Sequence, residues 1–179
     1  MILASIKPYY YYLIAEGIKK IEVRKSALKN LPKDIAFYMS KDEKSFAKIP
    51  KEFQEKYRKH FGKVGMRVVC DKVDEYTFSH YEAEYRVTHI EQDAMWLNQP
   101  ELIRYGKGKP LYGWHISDLK IYEQPKELSE FRKSGFMTEE EWLFNLYPNT
   151  HCHYEAWAKK FEITRPPQSY MFVEEIETR

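Results

Sequence analysis

Cysteine is almost missing from this chain: two residues, Cys70 and Cys152, in 179. Neither belongs to a C-x-x-C pair, so no disulfide framework and no paired-thiol zinc site is indicated. No apolar run is long enough to cross a bilayer, and no signal peptide is expected. The expected location is cytoplasmic, with both thiols reduced and no membrane partner. Charge of one sign is also lacking. Lys and Arg number 29 against 27 Asp and Glu, so no global basic field advertises a nucleic-acid protein. There is no G-x-x-x-x-G-K-[ST] run, hence no Walker loop. Internal repeats and low-complexity segments are absent too.

Aromatic residues are plentiful: 15 Tyr, 10 Phe and 4 Trp. Tyrosines can stack on bases, but most aromatics in a small domain are core. A chain of this length makes one domain with a real core. Basic residues cluster locally at Lys19, Lys20, Arg24, Lys25, Lys29 and Lys33.

The densest information lies in Gly17-Ile18-Lys19-Lys20-Ile21-Glu22-Val23-Arg24. Met1 to Ile6 is apolar enough for a buried first strand. Ser5 and Pro8 mark a helix entrance, with Pro8 near the first helical position, where its missing N–H costs nothing. Tyr9 to Glu16 contains no breaker, and Gly17 supplies a left-handed C-terminal cap. Ile21 to Lys25 alternates apolar and charged residues, as a half-buried strand does. Residues two apart on a strand share a face, so Ile21 and Val23 point to the core and Glu22 and Arg24 point the other way together. Lys19 sits in the turn beside them. On this pattern alone, a solvated strand face and a binding cleft both remain open.

The pattern Gly17-x-Lys19-x-x-Glu22-x-Arg24, preceded by Ser5-Ile6-Lys7-Pro8-Tyr9, resembles the opening of the ASCH family, whose signature is G-x-K-x-x-E-x-R. Tyr105 to Tyr122 is similar to that family's late glycine-rich turn and strand, and the last apolar strand, in 165–176, to its closing strand. The resemblance implies a PUA-like, partly open β-barrel with short flanking helices, an α+β fold. It implies binding of RNA or a nucleotide-like ligand in a cleft built around Lys19, Glu22 and Arg24. Ser5, Lys7 and Tyr9 would form one wall, with Gly17 shaping the turn. The family also holds ribonucleases and amidohydrolases, so the alternative is a hydrolase acting on RNA or a modified nucleoside, with Lys19, Glu22 and Arg24 as its catalytic group. The amidohydrolase branch carries a threonine where this chain has Glu22, and its activity is not carried over. A third reading is a protein-interaction module without a small ligand. No cofactor is expected.

Further along, Asp34 to Ser40, Gly65 to Val73, Glu84 to Ile90 and Leu111 to Tyr122 read as strands. Glu52 to His60 reads as a surface helix, and Asp93 to Tyr105 as helical turns broken at Pro100, with Gln99 to Tyr105 having a proline at its start. This order lacks regular βα alternation and argues for α+β or a small barrel. The turn Gly106 to Pro110 offers Lys107 and backbone N–H groups to a phosphate, or simply feeds the next strand. On that strand Tyr112, Trp114 and Ile116 share one face, and Gly113 and His115 the other. Trp114 reads as core first and as a base-stacking residue second; His115 is the further ligand candidate. Residues 126–165 look like an insertion before the closing strand. Within it Ser129-Glu130-Phe131 starts a helix, Thr138 and Glu141 form a capping box, and Asn145 to Tyr154 is irregular. Its His151-Cys152-His153 reads as ordinary surface residues, with no metal site expected.

Overall fold

This computed structural model describes residues 1–145 and 151–176, with the side chains of 144, 145 and 151–153 outside the description. The His151-Cys152-His153 reading therefore lies outside the described side chains. Strand β1 (Ile2–Ile6) leads into α1 (Pro8–Ala15), then β2 (Ile21–Arg24) and β3 (Lys33–Met39). Helices α2 (Glu43–Phe46) and α3 (Lys51–Arg58) precede the long strand β4 (Val64–Tyr76). A small hairpin, β5 (Phe78–Ser79) and β6 (Glu84–Tyr85), is followed by α4 (His89–Met95) and α5 (Gln99–Gly106). The longest strand, β7 (Leu111–Lys126), then leads to β8 (Phe131–Lys133), α6 (Glu139–Asn145), α7 (His151–Ala158) and β9 (Tyr170–Glu175).

Seven strands form one mixed sheet in the order β2-β7-β4-β3-β1-β9-β8, giving an α+β fold. Only β1 and β3 run parallel; the remaining pairs are antiparallel. The sheet is open: among the described residues its edge strands, β2 and β8, do not pair with each other. The β4–β7 pair shifts register at three places along its length, and such bulges bend and twist a long ribbon.

Alternation sorts the central strands onto two faces. Ile2, Ala4 and Ile6 of β1, with Ile35, Phe37 and Met39 of β3, join Tyr11, Phe46, Tyr57 and Trp114 in the main core under α1, α2 and α3. Leu3, Ala36 and Tyr38 face a second cluster with Phe131, Ile163 and Val173. The closing segment thus covers the far side of the sheet. A third cluster holds Ile21, Val23, Tyr76, Tyr85, Met95, Leu102 and Leu111, packing α4 and α5 against the β2 edge. Gly113 makes that packing possible: a Cβ there would stand 2.6 Å from Tyr76 and 2.8 Å from Ile21.

Several boundaries differ from the sequence pattern. Glu84–Tyr85 is all that remains of the strand predicted over Glu84 to Ile90, because the Thr88–Glu91 capping box starts α4 at once. The helical break itself falls at Trp96–Asn98, and Gln99–Gly106 forms α5 with Pro100 in its first turn, where it needs no N–H partner, as the reading of Gln99 to Tyr105 has it. The predicted helix start at Ser129 is a short 3-10 turn running into β8, an edge strand paired with β9. Helix α7 begins at His151, within the stretch that composition marks as irregular. The Thr138–Glu141 capping box forms as predicted.

Behind the main core, His60 is 1% exposed and its Nδ1 lies 3.0 Å from the Tyr11 hydroxyl. Burial, aided by Lys59 and Lys56, lowers its pKa from 6.5 to about 4. The unfolded chain therefore binds a proton between pH 6.5 and 4 that the folded chain does not, so His60 removes stability as pH falls through that window. Urea unfolding from pH 7 to 4.5 should show this fall, and His60→Gln should flatten it. An unchanged slope in the variant would assign acid sensitivity to other groups.

Candidate functional site

The candidate site starts from the end of α1. Gly17 adopts φ +69°, and its N–H donates to the Ile14 carbonyl while the Ile18 N–H donates to Leu13. This is the left-handed termination predicted from Gly17. It turns the chain so that Lys19 points inward and β2 begins two residues later. Strand β2 then pairs antiparallel with β7, setting Glu22 opposite Trp114 and Arg24 opposite Tyr112.

Ile21 and Val23 are buried, as the alternation requires, but Glu22 and Arg24 are buried too, at 7% and 6% exposure. The strand is covered on both faces, not half-buried, and the solvated-face reading is excluded. Lys19 is 2% exposed. Its Nζ lies 3.5 Å from Glu22 Oε2 and donates to the Met95 carbonyl at the end of α4. Arg24 Nε lies 3.0 Å from Glu22 Oε1, a charge contact without hydrogen-bond alignment. Its other nitrogens donate to the Ser5 carbonyl at 2.7 Å and the Ser169 carbonyl at 3.3 Å. One carboxylate thus bridges two cations, and the cations tie β1, α4 and the approach to β9 together.

Burial pushes the Lys19 amine down from its ordinary pKa; Glu22 beside it acts the other way and is the smaller effect. Aromatic rings close the cluster. Lys19 Nζ sits 5.3 Å from the Tyr10 ring centroid, and the Arg24 guanidinium 5.5 Å from that of Trp114. Burial, then Glu101 and Glu22, hold the Tyr10 hydroxyl above its usual range. Burial, with Arg24 opposing and Glu22 adding, does the same for Tyr105. Both phenols stay protonated as donors.

The sequence-derived residues divide into three groups. Lys19, Glu22, Arg24 and Trp114 come together, with the Ser5 carbonyl completing the Arg24 clasp. The Ser5 hydroxyl does not cap α1, which it precedes by two residues too many, and donates to the Pro167 carbonyl at 2.6 Å. Trp114 has no exposed surface: its Nε1 donates to the Ser26 carbonyl, and Tyr170 packs edge-on 5.6 Å away. Tyr9 and Lys7 lie at the start of α1, Lys7 exposed. His115 and Lys107 stand elsewhere. His115 faces the other side of β7, where its Nε2 lies 2.7 Å from Asp74. Lys107 is the left-handed cap of α5, in an exposed turn beside Phe78 and His80 that no hydrogen bond or ion pair among the described residues joins to the cluster.

Two depressions flank the buried charges, and neither exposes them. One, of about 410 Å³, is lined by Arg165 to Gln168, Tyr170 and Met171, next to the Arg24 end. The other, of about 350 Å³, runs along α4 and α5 between His89, Gln92, Asp93, Trp96, Leu97, Asn98 and Glu101, next to the Lys19 end. Trp96 follows the residue whose carbonyl takes Lys19, and its Nε1 donates to the Tyr9 hydroxyl at 3.3 Å. Sequence reading missed Tyr10, Trp96, Glu101 and Tyr105. Pro100 and the Asn98–Glu101 capping pattern signal where α5 begins, and nothing local signals that α4 lands on Lys19. Among the described residues, no group of His, Cys, Asp and Glu has the makings of a metal site, and no helix is long and apolar enough to cross a membrane.

No family model and no curated protein matches the chain. Among solved structures it is similar to ASCH from Zymomonas mobilis. A tyrosine-to-phenylalanine variant of that protein aligns with a TM-score of 0.50 and 14% identity, over 97% of this chain and 89% of that chain. A second structure of the same protein aligns with a TM-score of 0.47 and 14% identity, over 97% and 87%. The fold of this chain is ASCH-like.

Proposed function

We propose that this chain is an ASCH-type module, a loosely fitting PUA-like and partly open barrel, that binds RNA or a nucleotide-like ligand along the α4–α5 groove. The Lys19–Glu22–Arg24 cluster is the buried frame that holds the groove in place. Trp96 carries the reading. It is 47% exposed and has no ring partner among the described residues, yet its backbone is held at φ 54°, which a bulky residue adopts only at a cost. The bond to Tyr9 fixes the indole. A rigid, open π-face beside the side chains of Gln92, Asp93 and Asn98 suits an unstacked base, which stacks on aromatics and is read along its edges.

The observation favouring a hydrolase is the depressed pKa of Lys19, since an amine pushed toward neutrality becomes a base or nucleophile. Against it, the amine already serves Met95 and Glu22. One set of preparations separates the readings. In fluorescence titrations with short single-stranded RNA, Trp96→Ala should weaken binding roughly tenfold, the scale of one lost base stack. Tyr81→Ala, at a wholly exposed position, should change nothing. Equal affinity for Trp96→Ala and wild type would remove the groove from the site. Cleavage of RNA or of acylated nucleosides that vanishes in Lys19→Met, with binding retained, would establish the hydrolase.

A further inference from the structure

We infer that the corner formed by the start of α1 and the α2 turn is a second contact surface, a lysine strip that tracks the phosphates of an RNA strand leaving the α4–α5 groove; the inference rests on the RNA-binding reading above. Strands β1 and β3 are parallel neighbours, with Ile6 opposite Met39, so Lys7 and Lys41 leave the same end of the sheet one and two residues beyond it. The Ser40 N–H donating to the Ile6 carbonyl holds these exits together. Lys44 and Lys48 follow at i and i+4, on the exposed side of a turn whose Ser45, Phe46 and Ile49 are buried. All four lysines are exposed, and none of their ammonium groups has a hydrogen-bond, ion-pair or ring partner among the described residues.

The local acids are occupied. Asp42 accepts the Ser45 N–H as the cap of α2, and Glu43 pairs with Arg58 at 2.9 Å. The corner therefore presents four ammonium groups without an ion-pair partner among the described residues; Asp42, whose bond to an N–H leaves its charge in place, offsets only part of their charge and the rest lacks a counter-charge, whereas most lysines and arginines of α3 have partners. A polyanion supplies that charge. The corner also adjoins the groove. The Tyr9 N–H donates to Ser45 Oγ at 3.1 Å, and the Tyr9 hydroxyl accepts from Trp96. One tyrosine spans the distance from the lysines to the indole.

The test compares a dinucleotide with a twelve-nucleotide single-stranded RNA, using wild type, the triple variant Lys41→Gln, Lys44→Gln, Lys48→Gln, and Trp96→Ala. Circular dichroism melts check that each is folded. The triple variant should bind the dinucleotide as wild type does. It should bind the longer RNA roughly tenfold or more weakly, with a log–log salt slope shallower by about 2, as three lost phosphate contacts on a single strand require. Wild-type affinity and slope for the longer RNA would overturn the strip while leaving the groove standing if Trp96→Ala still weakens the dinucleotide. If wild-type protein binds neither RNA, both the groove and the strip fail. Equal weakening of both RNAs in the triple variant would also overturn the strip, since the lysines would then act at the groove itself.

Discussion

Glu22→Ala or Glu22→Gln is expected to destabilise the protein by about 3–5 kcal/mol, lowering Tm by roughly 6–20 °C. Glu22 is the shared counter-ion of two cations that are themselves almost fully enclosed. Removing it leaves Lys19 and Arg24 facing each other without water to screen them, the costly way to break a buried pair. Thermal and urea unfolding measure the effect. Adding Lys19→Met to Glu22→Gln should recover a substantial part of the loss, because the double change removes one uncompensated charge. The pH dependence has a definite sign. Lys19 is depressed in the folded state, so between its folded pKa and the ordinary value near 10.5 the unfolded chain binds more protons. Stability gains from Lys19 as pH rises through that window, and Glu22→Gln should enlarge the gain. A loss below about 1 kcal/mol in both single variants would mean that the cluster is hydrated in solution, as surface pairs are.

Trp114→Ala is expected to cost about 3–5 kcal/mol, as large aromatic truncations in a packed core do. Its side chain is fully buried, bonds to the Ser26 carbonyl, and backs the Arg24 guanidinium. Trp114→Phe should keep most of the packing and lose the hydrogen bond. At a temperature where both are folded, each should bind short RNA within about twofold of wild type, because no part of the ring reaches solvent. A selective loss of affinity in folded Trp114→Phe would place the residue in the ligand surface, as the second of its two sequence readings holds.

Chain-local chemistry accounts for much of what was legible. The Gly17 termination, Pro8 at the head of α1, the Thr138 capping box and the face assignments of Ile21, Val23, Tyr112, Trp114 and Ile116 depend on residues a few positions apart, where dihedral preferences and strand periodicity act directly. The motif Gly17-x-Lys19-x-x-Glu22-x-Arg24 likewise located the charged cluster. Misreadings have two sources. Glu84–Tyr85 is short because a local signal, the Thr88–Glu91 capping box, starts α4 at once, and Phe131–Lys133 is a strand because the distant β9 offered an edge to pair with.

What the sequence by itself determined is thus the α+β class, the turn that delivers Lys19, and the joint direction of Glu22 and Arg24. Tertiary structure alone decided that these charges are buried and not lining an open cleft. The reason is that their partners are backbone carbonyls of Ser5, Met95 and Ser169, groups every residue carries and no motif can mark. It decided equally that Trp96 meets Tyr9, 87 residues away in the chain, and that Lys107 stands apart from the cluster, whereas the alternation along β7 had already set His115 on the face opposite Trp114. Contacts of that range follow from how α4 and α5 settle on the β2 edge, which depends on the whole third hydrophobic cluster and on the absence of a side chain at Gly113.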